Sequence, residues 1–207
     1  MAVEKPQRKA SSERKIEIVQ AVLKIIHDQG LTSLSTKTIS TELGLSSGAI
    51  FRHFDSMDEI FRQVVSYGVT RIDETFPEES LPPFDRLKSL ITNRYELFQE
   101  SPGLAWLLKS DQAALTLPQD SLQTLGEMRS KSRTYILTIL NEGINNGIFR
   151  RDIDTGVLLV LVMGIIHTIL GVQGAISGKK ENAEGLEKMI SGLEKLISAS
   201  YTGISQK

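Results

Sequence analysis

The chain contains no cysteine in 207 residues, and its three histidines, His27, His53 and His167, are far apart. Without cysteine there can be no disulfide, no thiolate nucleophile and no thiolate-bound metal, and the composition fits a reducing, cytoplasmic setting. The histidines are not spaced to share a metal. No nucleophile elbow and no phosphate-cradling glycine loop occurs. These absences point away from an enzyme, and neither a metal nor a cofactor is expected. An excess of one charge is lacking too: 24 Lys and Arg stand against 25 Asp and Glu, a net −1, so bulk charge does not advertise a polyanionic partner. The most apolar stretch, Val157–Leu170, falls short of the ~20 residues a membrane span needs and carries His167. It reads as a helix buried within protein, not in a membrane. The polar start has no apolar core of a secretory signal.

What is present is helical periodicity, with no sustained period-two alternation, so the expected fold is all-α. Ser11 or Ser12 caps a first helix whose apolar residues Ile16, Val19, Val22, Leu23 and Ile26 recur at three- and four-residue steps, and Gly30 stops it. Ser35 caps a second, short helix carrying Ile39 and Leu43, and Gly44 ends it with a positive φ. Ser46 caps a third helix with Ile50 and Phe54 inward. Asp55 or Ser56 caps a fourth with Ile60, Phe61, Val64 and Val65 as its stripe. Phe76–Pro83 is a break rich in proline and acid. Helices then follow over Phe84–Glu100, Gly103–Ser110 and Ser121–Asn146, the last closed by Gly147. Asp154 or Thr155 caps the apolar helix, which is expected to reach Gly178. Lys179–Ala183 reads as a polar connection, and a final helix with Leu186, Met189, Ile190, Leu193, Leu196 and Ile197 on one side runs toward Tyr201.

Two short helices joined by a glycine turn and followed at once by another helix make a helix-turn-helix over about 35–54. Helix nucleation is costly, so such short pieces persist only when packed together. With Ile50 and Phe54 inward, Ser46, Ser47, Gly48, Ala49, Arg52 and His53 are left outward. Small side chains let a helix approach the floor of the DNA major groove, serine hydroxyls bond base edges or phosphates, and an alanine methyl meets thymine. Thr36 and Lys37 can reach the backbone. Lys5, Arg8, Lys9, Arg14 and Lys15 make a basic start, mixed with Glu4, Glu13 and Glu17, which reads either as a phosphate-contacting arm or as a solvated tail.

Residues 13–65 resemble the N-terminal domain of the TetR family of transcriptional regulators. The resemblance rests on Gly30-Leu31, on Ser35-Thr36-Lys37-Thr38-Ile39-Ser40, on the run Leu43 through Phe54, and on Asp58-Glu59-Ile60. It implies an N-terminal DNA-binding domain over 1–66 and a larger C-terminal regulatory, ligand-binding and dimerisation domain over 67–207. It implies DNA contacts from Ser35, Thr36, Lys37, Ser46, Ser47, Gly48, Ala49, Phe51, Arg52 and His53. Phe51 stands where the family commonly has tyrosine, and Met57 where it usually has lysine, so two phosphate contacts of the family are altered here.

Beyond residue 70 the likeness is carried by Asn146–Asp154, which resembles the turn before the penultimate helix. The last two helices are then expected to pair with their twins in a homodimer. A helix apolar on more than one face needs an outer partner as well as an inner one, and a dimer suits a palindromic operator. The implied partners are double-stranded operator DNA and a small-molecule effector. Tyr67, Tyr95, Phe98, Trp106 and His167 are candidates to line its pocket, which would suit a mainly apolar ligand. The resemblance implies a repressor, released when an effector favours one position of helix four. The rival reading is a helical small-molecule binder or interaction protein without sequence-specific DNA binding.

Overall fold

The computed structural model describes residues 11–109, 112–171 and 179–199. Among them the chain is all-α: α1 Ser11–Gln29, a 3₁₀ turn Leu31–Ser33, α2 Thr36–Leu43, α3 Ser47–Ile50, α4 Met57–Asp73, α5 Pro83–Glu100, α6 Pro102–Lys109, α7 Gln112–Thr116, α8 Gln119–Asn145, α9 Thr155–Gly171 and α10 Lys179–Ile197. The described residues form two compact units. The first falls within Met1–Thr70 and Ser101–Leu125, the second within Arg71–Glu100 and Gly126–Lys207.

Three expectations are corrected. α3 is a single turn, because the backbone tightens after Ile50: His53 N–H and Phe54 N–H both donate to Ile50 O, at 3.0 and 3.2 Å. Arg52 and His53 therefore lie on the turn after the helix. α7, not among the expected helices, has too few residues to show a periodicity. α10 begins at Lys179, where a polar connection is expected, because a first turn with no apolar residue leaves no period to read. The expected stretch of α9 beyond Gly171 and the end of the last helix near Tyr201 lie outside the described residues.

The first unit is built around α1. Ile18, Val19, Ala21, Val22, Leu23, Ile25 and Ile26 are all buried, a wider arc than one stripe, while Ile16 in the first turns is exposed. The arc is wide because α1 has neighbours on two sides, α2 on one and α6 on the other. At Gly103 of α6 an added Cβ would stand 1.8 Å from Leu23 O, so the two helices touch backbone to backbone. On the next residue, Leu104 packs where a side chain on Gly68 of α4 would be.

In the second unit α5 packs against α9 and α10. Arg94, only 7% exposed, is with Arg86 one of two buried cations among the described residues of this unit. Its Nε donates to Thr75 Oγ1 at 3.1 Å and its Nη2 to Ser132 Oγ at 2.8 Å, and the guanidinium lies 5.1 Å from the Phe76 ring centre. Burial pulls its pKa down to about 10, with Asp73 opposing that shift, so it stays charged at neutral pH. Lys131 lies 5.2 Å from the same ring and pairs with Asp73 at 2.8 Å. Tyr135 meets Phe76 edge-on at 4.8 Å and donates to Pro77 O. The proline-rich connection after α4 is thus pinned by aromatic and charged contacts.

Replacing Gly103 with alanine forces α6 off α1. We expect Gly103→Ala to lower the unfolding free energy by about 3 kcal/mol, read from urea denaturation. A loss below about 0.5 kcal/mol would mean that this helix contact yields freely.

Candidate nucleic-acid interface

The reading head begins with a reciprocal cap. Ser35 Oγ accepts from Thr38 N–H at 3.1 Å, and Thr38 Oγ1 accepts from Ser35 N–H at 2.9 Å, so both orphan donors at the start of α2 are satisfied. α2 ends at Gly44 with φ +63° and ψ +32°, a left-handed residue that lets Leu45 N–H return to Ser40 O at 2.8 Å. Leu45 sits half-buried at the corner. Ser46 then stands at the N-cap of α3 without a side-chain cap bond, so its hydroxyl is not spent on the helix end.

Burial sorts the head into two faces. Ile39, Ile50 and Phe54 are shut at 0–1% exposure. Ser35, Lys37, Ser46, Ser47, Gly48, Phe51 and Arg52 are exposed, and Thr36, Ala49 and His53 are half-buried. Every residue expected to meet DNA therefore has solvent access. Phe51 is the apolar member, 47% exposed. His53 Nδ1 lies 3.3 Å from Ser11 Oγ, which ties the turn after α3 to the start of α1.

Ion pairs lock this face to its frame. Lys24 on α1 binds Glu42 on α2; this hydrogen bond and the attraction of the Glu42 carboxylate raise the pKa of the lysine. Lys15 lies 5.0 Å from the Phe54 ring centre and 3.5 Å from Glu59. Ser56 Oγ accepts from Glu59 N–H at 3.2 Å, and the Glu59 carboxylate accepts from Asp55 N–H at 2.5 Å, capping α4. That backbone bond, with lesser help from Lys15 and Arg62, holds the Glu59 carboxyl below its ordinary pKa. Of the basic start, Arg14 pairs with Glu17 at 2.8 Å and Lys15 is engaged as above. Lys5, Arg8 and Lys9 lie outside the described residues.

One residue of the head escaped the sequence reading. Ser40 is 5% exposed, and its Oγ reaches both Lys37 O and Ser47 Oγ. A serine seven residues from another carries no periodic signal for such a bridge; only the angle between α2 and α3 brings the two together.

The candidate effector residues are divided between the units. Tyr67 and Trp106 lie in the first, both half-buried, with the Trp106 ring beside Gly30. Tyr95, Phe98 and His167 lie in the second, where Phe98 is buried, Tyr95 half-buried and His167 exposed on α9. A cleft of about 690 Å³ in the second unit has a different lining, with Glu79, Arg86, Lys131, Thr134, Tyr135 and Glu142 among its walls. Arg86 is buried and binds Glu142. Among the described residues no group of three or more His, Asp or Glu is placed to hold a metal ion, and no helix is long and apolar enough to cross a membrane.

Residues 18–64 match the model of the bacterial regulatory proteins of the tetR family. The transcriptional repressor KstR2 of Mycolicibacterium smegmatis is 26% identical over 160 residues, covering 74% of this chain and 75% of that protein. KstR2 of Rhodococcus jostii is 23% identical over 146 residues, covering 69% and 71%. Among solved structures, the ketosteroid transcriptional regulator KstR2 of Mycobacterium tuberculosis superposes with a TM-score of 0.78 at 16% identity, covering 93% of this chain and 97% of that one. AibR in complex with isovaleryl coenzyme A and operator DNA gives 0.72 at 15% identity, covering 90% and 98%. With the helix-turn-helix in place at α2 and α3, the chain carries the DNA-binding domain of the tetR family of bacterial regulatory proteins.

Proposed function

We propose that the protein is a homodimeric, ligand-responsive repressor that binds a palindromic operator through α2 and α3 and leaves it when a small molecule binds. The observation that carries this reading is the sorted head: a small, hydroxyl-rich surface with solvent access, set on a rigid apolar back. The residues through Ser66 form the DNA-binding part. The remainder regulates and dimerises. Ser47, Gly48 and Ala49 approach base edges, while Thr36, Lys37, Arg52 and His53 meet phosphates. Phe51, lacking a hydroxyl, offers only an apolar contact.

The apolar helix supplies the argument for a dimer. Leu158, Leu159, Val162 and Ile166 of α9 are buried within their own unit. Val157, Val160 and Leu161 lie on another side at 51, 63 and 41% exposure, and Leu196 of α10 is 42% exposed. Three large apolar residues at i, i+3 and i+4 left open on one helix suit a second copy of the same surface.

AibR, with its acyl thioester, is the precedent for an effector. The cleft at Arg86, Lys131 and Tyr135 is the candidate seat. Its polar walls favour a ligand with more polar groups than the mainly apolar one that the aromatic residues suggested. Lys131 and Tyr135 also hold Asp73, Phe76 and Pro77, so a ligand there bears on the end of α4, whose first residues follow the head directly.

Selection from a random duplex pool at fixed salt tests the reading: a recovered pseudo-palindrome supports it, and sequence-blind binding sinks it. Lys37→Ala and Arg52→Ala should each weaken binding across sequences and reduce the salt slope by about 1, with helicity intact. Unchanged slopes would remove those residues from the phosphate contacts. Val160→Glu should shift the protein to monomer in sedimentation and weaken operator binding by at least about tenfold, since each half-site is then held alone.

A further inference from the structure

Ser40 sits at the back of the reading head, and its hydroxyl has two neighbours: Lys37 O at 3.0 Å and Ser47 Oγ at 3.4 Å. A hydroxyl carries a single proton. A carbonyl oxygen can only accept, so the contact with Lys37 takes the Ser40 proton. What Ser40 retains toward Ser47 is a lone pair. The second contact thereby acquires a direction, with Ser47 Oγ–H donating and Ser40 Oγ accepting. Ser47 is the first residue of α3 and is exposed. With its proton turned inward, it presents lone pairs and no donor to whatever lies in front of the head.

In the major groove this decides which bases it can read. Adenine offers its N6 amine and cytosine its N4 amine as donors, while thymine O4 and guanine O6 and N7 only accept. An unconstrained serine rotates its hydroxyl to suit either kind of edge. We infer that Ser40 is a specificity-determining positioning residue: by holding the Ser47 proton it makes Ser47 an acceptor-only reader that selects adenine or cytosine on the strand it faces. The inference rests on the operator-binding reading above. Ser40 itself, being buried, touches no base.

The test uses the full chain in the same duplex selection, with wild type, Ser40→Ala and Ser47→Ala compared. For wild type, one half-site position should favour adenine or cytosine over guanine or thymine by about tenfold. Both variants should flatten that position to within about twofold while leaving the others unchanged. On the recovered operator, replacing the base at that position by its analogue without the exocyclic amine (purine for adenine, pyrimidin-2-one for cytosine) should weaken wild type by about tenfold and the Ser40→Ala protein hardly at all. A preference lost in Ser47→Ala but kept in Ser40→Ala overturns the inference, as does a Ser47-dependent position that favours thymine or guanine. If Ser40→Ala loses its helicity, the amine-deleted operator decides on wild type alone, and insensitivity to the missing amine overturns the inference. A wild type that recovers no motif overturns the operator-binding reading itself, which is a distinct result from a motif without amine preference.

Discussion

A helix of one turn cannot hold itself together, and α3 is four residues long. Its place is set by what its neighbours bury. Ile39, Ile50 and Phe54 close against the first unit's core, which α1 supplies along most of its length. α1 is held from behind in turn, where Gly103 lets α6 settle onto the Leu23 carbonyl. The surface proposed to meet DNA is therefore the far side of a stack: α2 and α3 rest on α1, and α1 rests on a helix more than seventy residues further along the chain. A side chain at Gly103 would disturb a face that contains none of its own atoms.

Hydrogen-bond and charge commitments decide which polar groups of the head are free to act. Ser35 and Thr38 are occupied with capping. Arg14, Lys15 and Lys24 are engaged with carboxylates. Lys37 and Arg52, both exposed, form no ion pair among the described residues. A chain of net charge −1 can thus meet a polyanion without bulk attraction, because the cations on the candidate face are not the ones neutralised in the frame. Exposed pairs of this kind add little stability. Their consequence is geometric, fixing α2 and α4 against α1.

How much of this was legible depends on the range of the signal. The cap at Ser35, the left-handed Gly44 and the inward Ile50 and Phe54 follow from residues within one or two turns, and the sequence shows them; for α4 it offers Asp55 or Ser56, of which Ser56 accepts from Glu59 N–H. α7 and the first turn of α10 were missed because five residues or a polar turn carry no period. The Ser40–Ser47 bridge, the Gly103 contact and the Phe76 cluster depend on how separate helices cross, which no local pattern encodes. The candidate effector residues Tyr67, Tyr95, Phe98, Trp106 and His167 are not among the walls of the cleft in the second unit. That cleft is walled by polar residues from one face of α8, with Arg86 and Glu79 from outside it, a juxtaposition of separate helices that no local pattern encodes.

A ligand in the proposed seat in the second unit would act on the residues that the cleft shares with the group around Phe76. Lys131 belongs both to the cleft wall and to the group around Phe76, where it binds Asp73, and Tyr135 bridges the same two places. Asp73 is the last residue of α4. A molecule that draws Lys131 toward itself leaves the Asp73 carboxylate to find other partners, and Arg94, already buried and charged, is the nearby cation that feels it. Such a ligand changes DNA affinity only by the difference between its affinities for the two arrangements of this group; an equal fit to both would bind tightly and release nothing. On the proposed reading, with the cleft as the effector's seat, the sensitivity of the response is set less by how well the cleft holds its ligand than by how differently it does so when the Lys131–Asp73 pair is made and when it is broken.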